Sequence, residues 1–225
     1  MSFIIKIIKW IVVAFFASTI LVVVWYKFMP VWVTPLMVIR SVEQVGDGHF
    51  PKIHHSWMAL DEMPQDMPVA VMASEDQRFL VHHGFDFDAI QKAIKRNKKV
   101  GMKKYGASTI SQQTAKNVFL WPGRSWLRKG FEMYFTTLIE FVWGKERIME
   151  VYLNSIEMGD GIYGVKAVAR DNFDKEPEEL SKRDCALIAA TLPNPRKFSS
   201  KEPSAYMKKR QRWILSQMRY VNWKK

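Results

Sequence analysis

Residues 10–26 carry no charged side chain and are dominated by Ile, Val, Phe and Leu. In hydrocarbon every backbone N–H and C=O must be bonded within the protein, and a lone segment meets that demand only as an α-helix. The run reaches the lower end of the length that crosses a bilayer. Ile4, Ile5, Ile7 and Ile8 extend its apolar surface, with Lys6 and Lys9 able to snorkel to the headgroups. Trp10, Trp25 and Tyr26 stand where an interfacial aromatic belt would place them. A cleaved signal peptide would need a small-x-small site after the run, and residues 27–34 are bulky instead. An uncleaved anchor over residues 1–28 is therefore expected. Lys6 and Lys9 before the span are matched by Lys27 and Arg40 after it, so the positive-inside tally is level and leaves orientation open.

The rest of the chain is long enough for one good-sized core. A net charge of +12 beside 48% hydrophobic residues excludes a disordered or collagen-like chain. It favours anionic partners: nucleic acid, anionic lipid headgroups or phosphorylated substrates. Cys185 is the only cysteine, which rules out an intrachain disulfide and reads as a small buried residue. Pro30, Pro35, Gly46, Gly48 and Pro51 punctuate residues 29–63, which read as an irregular juxtamembrane connection. Its apolar Val31-Trp32-Val33 and Leu36-Met37-Val38-Ile39 suit the membrane surface or burial against a domain equally well.

From Pro64 to the end, residues 64–225, the signals are mainly helical. Residues 68–78 read as a helix with Glu75 in its last turn, and residues 88–97 place Ala89, Ile90, Ala93 and Ile94 on one face. Lys98, Lys99, Lys103 and Lys104 surround Gly101 in a basic loop. Gly101 and Gly106 have P-loop spacing, but Ala107 stands where the lysine must be and no strand precedes them. Ser108 can cap a helix reaching Phe119, and Leu127, Phe131, Tyr134, Phe135, Leu138 and Val142 recur as a buried helical stripe. Ser181 with Asp184 forms a capping box before a helix over residues 185–192, and residues 205–218 close the chain with Trp213 and Ile214 inward. With no convincing run of alternating strands, the fold class is mainly α.

Two stretches order carboxylates and cations in a way that points to chemistry. The first is Glu75-Asp76-Gln77-Arg78-Phe79 followed by His82-His83-Gly84. The second runs from Gly106-Ala107-Ser108-Thr109-Ile110-Ser111-Gln112-Gln113 to Lys116, Arg124, Arg128-Lys129 and Glu132. A suitably placed glutamate takes a proton from a hydroxyl, and a Lys/Arg cluster holds a diphosphate leaving group as its charge grows. Together they spell group transfer off a phosphorylated carrier. Not all four cations can face one ligand from a regular helix, so one of them is expected to be structural. His82 and His83 sit in no metal-ligand pattern and read as structural.

Both stretches resemble the signature blocks of the bacterial peptidoglycan glycosyltransferases, the family that polymerises lipid II. Lys145-Glu146-Arg147-Ile148-Met149-Glu150-Val151-Tyr152-Leu153-Asn154 is similar to that family's next motif, and residues 159–173 to the one after it. The monofunctional members are the nearest in pattern. The resemblance implies a lysozyme-like domain on a single-pass inner-membrane anchor, with the catalytic domain on the periplasmic side. It implies Glu75 as general base, inversion at the anomeric carbon, and release of undecaprenyl diphosphate. Glu132 becomes a second essential glutamate at the diphosphate, acting directly or through a divalent cation (Mg or Mn). Ser108, Gln112, Gln113, Lys116, Arg124, Arg128 and Lys129 become substrate-binding residues. The implied partners are lipid II, the growing glycan chain, the membrane, and other cell-wall synthesis and division proteins, with no nucleic acid. Two departures bear on secondary contacts: Gly130-Phe131 replaces a commonly polar position, and Asp171-Asn172-Phe173 stands where an aromatic pair is common. Ser-x-x-Lys and Lys-Thr-Gly, the marks of a transpeptidase, are missing from the sequence. The alternatives are a lytic enzyme of the lysozyme class, which also uses a glutamate in a helical fold, and a non-catalytic membrane-anchored scaffold.

Overall fold

The computed structural model describes residues 2–101, 106–123 and 125–223. The apolar run is one helix, α1 (Ser2–Phe28), long and apolar enough to cross a membrane and almost wholly uncovered by the rest of the chain. Its C-terminal half is not free, however. Thr19 Oγ1 lies 2.9 Å from the Tyr134 hydroxyl, the Trp143 indole N–H donates to the Val23 carbonyl at 2.7 Å, and Arg147 donates to the carbonyls of Tyr26 and Met29. The anchor thus docks on the domain.

The stretch expected to be irregular carries a helix, α2 (Pro35–Gly46). Thr34 caps it by accepting from the Met37 N–H at 3.2 Å, and Pro35 sits at the first helical position, where its missing N–H costs nothing. Val31, Leu36 and Met37 bury against the domain, while Trp32, Val33 and Val38 of the same two runs stay exposed.

Then follow β1 (His54–His55), α3 (Asp66–Glu75), α4 (Phe87–Val100), α5 (Ile110–Phe119), α6 (Trp126–Val142), α7 (Gly144–Ser155), β2 (Glu157–Gly159), β3 (Ile162–Tyr163), α8 (Val165–Phe173), α9 (Lys182–Thr191) and α10 (Ala205–Gln217). The fold is mainly helical. Around α5 pack α6 and α7, while α9 lies between α3 and α10. The small sheet was unforeseen: β3 is central, parallel to β1 and antiparallel to β2. At the β2–β3 turn Gly161 has φ +68°, and a Cβ there would meet the Lys52 carbonyl oxygen at 2.4 Å, so the strand pairing needs a glycine.

Three local expectations need correction. Thr109, not Ser108, caps α5: it accepts from the Gln112 N–H while the Gln112 side chain accepts from the Thr109 N–H, and Ser108 has no such partner three residues on. Trp213 is half-exposed beside the Arg210 guanidinium, and only Ile214 of that pair points inward. On α6 the buried face is Arg128, Glu132, Phe135, Thr136 and Ile139. Phe131, Tyr134, Leu138 and Val142 of the apolar stripe pack partly buried against the core beside Phe135, with Phe131 and Tyr134 also meeting Phe15 of the anchor, and of the stripe only Leu127, 68% exposed, falls outside. Phe131, a departure from the family pattern, is thus an anchor contact.

Candidate active site

Glu75 ends α3, where Asp76 leaves helical geometry. Its carboxylate is largely enclosed yet faces a cavity of about 330 Å³ that Ser108, Lys92 and Trp213 also line. Oε1 accepts from the Ser74 hydroxyl at 2.8 Å and lies 3.5 Å from the Arg210 guanidinium; Oε2 accepts from Gln113 Nε2 at 3.1 Å. Gln113 is oriented in turn by the Tyr152 hydroxyl, which donates to its Oε1 at 3.1 Å. Tyr152 is fully buried, and burial followed by the nearby Glu75 and Asp76 charges raises its pKa well above the ordinary value. That hydroxyl stays a donor, so the Gln113 amide stays turned toward Glu75.

Asp76 is differently placed. It is buried, with both oxygens on His82 Nε2 at 2.9–3.0 Å and Oδ2 also accepting from the Ile110 N–H at 3.0 Å. His82 Nδ1 accepts from the Gly84 N–H, which leaves the ring proton on Nε2 facing Asp76. The pair ties the end of α3 to the start of α5 and fits the structural role expected of His82.

A second cavity, of about 420 Å³, opens on the other side of Gln113 and is lined by Lys116, Asn117, Trp121 and Gly123. Burial lowers the Lys116 pKa below its ordinary value; Glu132 opposes this, while Arg128, Lys129 and Arg40 repel its charge and add to it. Glu132 is buried on α6, one oxygen accepting from Arg128 Nη1 at 2.7 Å and the other paired with Lys129 Nζ. Arg128 also donates to the Gly123 carbonyl at 2.9 Å and is buried, so it holds the loop in place. Lys129 keeps more of its surface in solvent. Arg124 lies outside the described residues. Among the expected binding residues the structure gathers Gln113 and Lys116 on one cavity, gives the Gln112 side chain to the helix cap, and leaves Ser108 at the Glu75 cavity.

Glu132 already has a cation on each oxygen, and no group of three or more His, Cys, Asp or Glu among the described residues is arranged to hold a metal. The residues do not fit a protein-held divalent cation, because Arg128 and Lys129 already occupy both oxygens of this carboxylate.

A family model described as Transglycosylase matches residues 43–219. The chain belongs to the transglycosylase family. Relatives named "Biosynthetic peptidoglycan transglycosylase" include one from Bacteroides thetaiotaomicron, 62% identical over 207 residues, 92% of this chain and 83% of that one. Another, from Bdellovibrio bacteriovorus, is 55% identical over 213 residues, 93% of this chain and 85% of its own. A third, from Pseudomonas fluorescens, is 48% identical over 213 residues, 95% and 87% of the two chains. The family match begins within α2, so it takes in part of the helix that the sequence had read as linker. Arg210 is the functional candidate that sequence reasoning missed: it reaches Glu75 from 135 residues away, with no local pattern to mark it.

Proposed function

We infer that this chain is a peptidoglycan glycosyltransferase that polymerises lipid II into glycan strands. Its membership in the transglycosylase family and its anchor helix support that reading. The observation that carries the mechanism is Glu75, which lines one cavity and is held by Ser74 and by Gln113, itself a lining residue of the second, cation-rich cavity. Glu75 takes the proton from the 4-hydroxyl of lipid II in the first cavity. That oxygen forms a bond to the anomeric carbon of the growing chain's terminal sugar from the face opposite the carrier. The carbon–oxygen bond to the diphosphate breaks, its electron pair leaves with undecaprenyl diphosphate, and configuration inverts. Lys116 and Lys129, with Arg124, meet the growing negative charge, while Glu132 and Arg128 hold that cluster in place. The anchor sits in the inner membrane with the domain on its periplasmic side, next to lipid II, the growing strand and other cell-wall synthesis and division proteins.

Incubating the detergent-purified chain with labelled lipid II tests this. The expected product is long glycan that lysozyme digests, with preformed strands left intact. Shortening of purified peptidoglycan without lipid II would establish the lytic alternative instead.

A further inference from the structure

We propose that Arg40, on the helix that follows the membrane anchor, is a diphosphate-binding residue of the cation-rich cavity. The inference rests on the glycosyltransferase reading and extends its donor site to a segment outside both signature stretches.

Four observations carry it. Arg40, on α2, lines the same 420 Å³ cavity as Lys116, Asn117 and Arg196. Two buried donors in that cavity have no hydrogen-bond partner among the described residues: Arg40 Nε, and Nδ2 of Asn117, a residue only 2% exposed. Buried donors are normally answered, and two unanswered ones on residues lining one cavity make its wall short of acceptors. The charges agree. Arg40, Lys116 and Arg196 line the cavity against one carboxylate, Glu157, whose own pKa is raised by burial. Such a wall suits an anion with several acceptor oxygens, and a guanidinium fork matches phosphate oxygens two at a time.

Arg40 is also pre-positioned. The Thr34 cap and the buried Leu36 and Met37 fix α2, and Arg40 Nη1 donates to Glu43 at 2.6 Å. Toward the cavity, Nε is 3.8 Å from Glu157 Oε2, an ion pair too long to be a hydrogen bond. Glu157 holds the guanidinium only loosely beside the cavity, so a small turn of the Arg40 side chain brings its N–H groups to a ligand oxygen there. The rival account makes Arg40 only the neutralising partner of Glu157.

A double-mutant cycle on the full chain in detergent separates the two, with undecaprenyl diphosphate as the probe and displacement of labelled lipid II as the readout. Arg40→Gln is expected to weaken binding roughly tenfold or more, the range for losing a hydrogen bond to a charged group. Arg40→Lys keeps charge without the fork and should fall between the two. Glu157→Gln should bind as tightly as the unmodified chain or tighter, and the double variant should stay weak. Recovery of full affinity in the double variant would show that Arg40 serves only Glu157, and unchanged affinity in Arg40→Gln would equally overturn the proposal. Should Arg40→Gln fold poorly, the Arg40→Lys comparison at a matched melting temperature decides. If the unmodified chain neither polymerises lipid II nor binds the probe, the functional reading itself has failed, which differs from the case where it does both and Arg40→Gln is silent.

Discussion

Replacing Glu75 by Gln changes one proton site and almost no volume. Gln113 cannot turn its amide over without breaking its bond from the Tyr152 hydroxyl, so it continues to present an N–H to position 75. The new glutamine must answer with its carbonyl, which leaves its NH₂ facing the Arg210 guanidinium, donor against donor, while the Ser74 hydroxyl can turn its proton to the Ala189 carbonyl. That mismatch costs about 1 kcal/mol of folding stability, a shift of a few degrees in melting temperature. The chemical cost is larger. Without a base the rate falls at least about a hundredfold, or about 2.7 kcal/mol of barrier. Glu75→Asp is a second probe. It keeps the base but withdraws it by about 1.5 Å from Gln113, and a misplacement of that order alone costs about a hundredfold. The assay is continuous polymerisation of labelled lipid II, with donor-analogue binding and melting temperature measured on the same samples. Turnover should collapse while binding and folding persist. Near-normal turnover in Glu75→Gln would refute the assignment, and the Asp76 carboxylate, committed to His82 and Ile110, would then have to be tested despite its burial.

Two further outcomes follow from the same geometry. Lys116 binds a diphosphate only while protonated, and its pKa lies below the ordinary 10.5. Affinity for undecaprenyl diphosphate should therefore decline with rising pH from below that value, and Lys116→Arg should carry the decline to higher pH; identical profiles would contradict this. Deleting residues 1–26 strips partners from the buried indole of Trp143 and from Arg147, so melting temperature and activity should fall in mixed micelles as well as in liposomes, whereas a loss confined to liposomes would make α1 a simple tether.

What could be read from the sequence was whatever short-range chemistry decides. The Ser181–Asp184 box opens α9 as expected, because both partners lie within one turn. The same rule, applied strictly, would have chosen Thr109 over Ser108, since only Thr109 has a glutamine three residues on. The helix α2 was hidden by Pro35 and Gly46, which looked like punctuation but are a first-turn proline and a terminal glycine. Strands of two or three residues have no measurable alternation, which is why the small sheet left no trace. Arg40 and Arg210 escaped for another reason: each reaches the site through tertiary packing, and nothing adjacent in the chain signals it.

The direction of the α6 stripe carries more than a correction. A helix places residues three or four apart on one face, so Arg128, Glu132 and Thr136 turn inward while Phe131 and Tyr134 turn toward the anchor. One helix thus has the cation cluster on one side and α1 on the other. At about 1.5 Å per residue α1 exceeds the roughly 30 Å of a bilayer's hydrocarbon core, and its contacts with α6 run from Phe15 to Thr19, with Val23 meeting Trp143 just past the end of α6. On the proposed function, α6 therefore lies beside the half of the span nearest the domain, and the nearly bare side chains of Trp126 and Phe141, 93% and 90% exposed, have acyl chains and headgroups to meet instead of water. A diphosphate tethered to a bilayer lipid resides at that same depth. The anchor then fixes the height of the cations as well as retaining the enzyme at the membrane, and a lipid-borne donor reaches them without being pulled out of the bilayer.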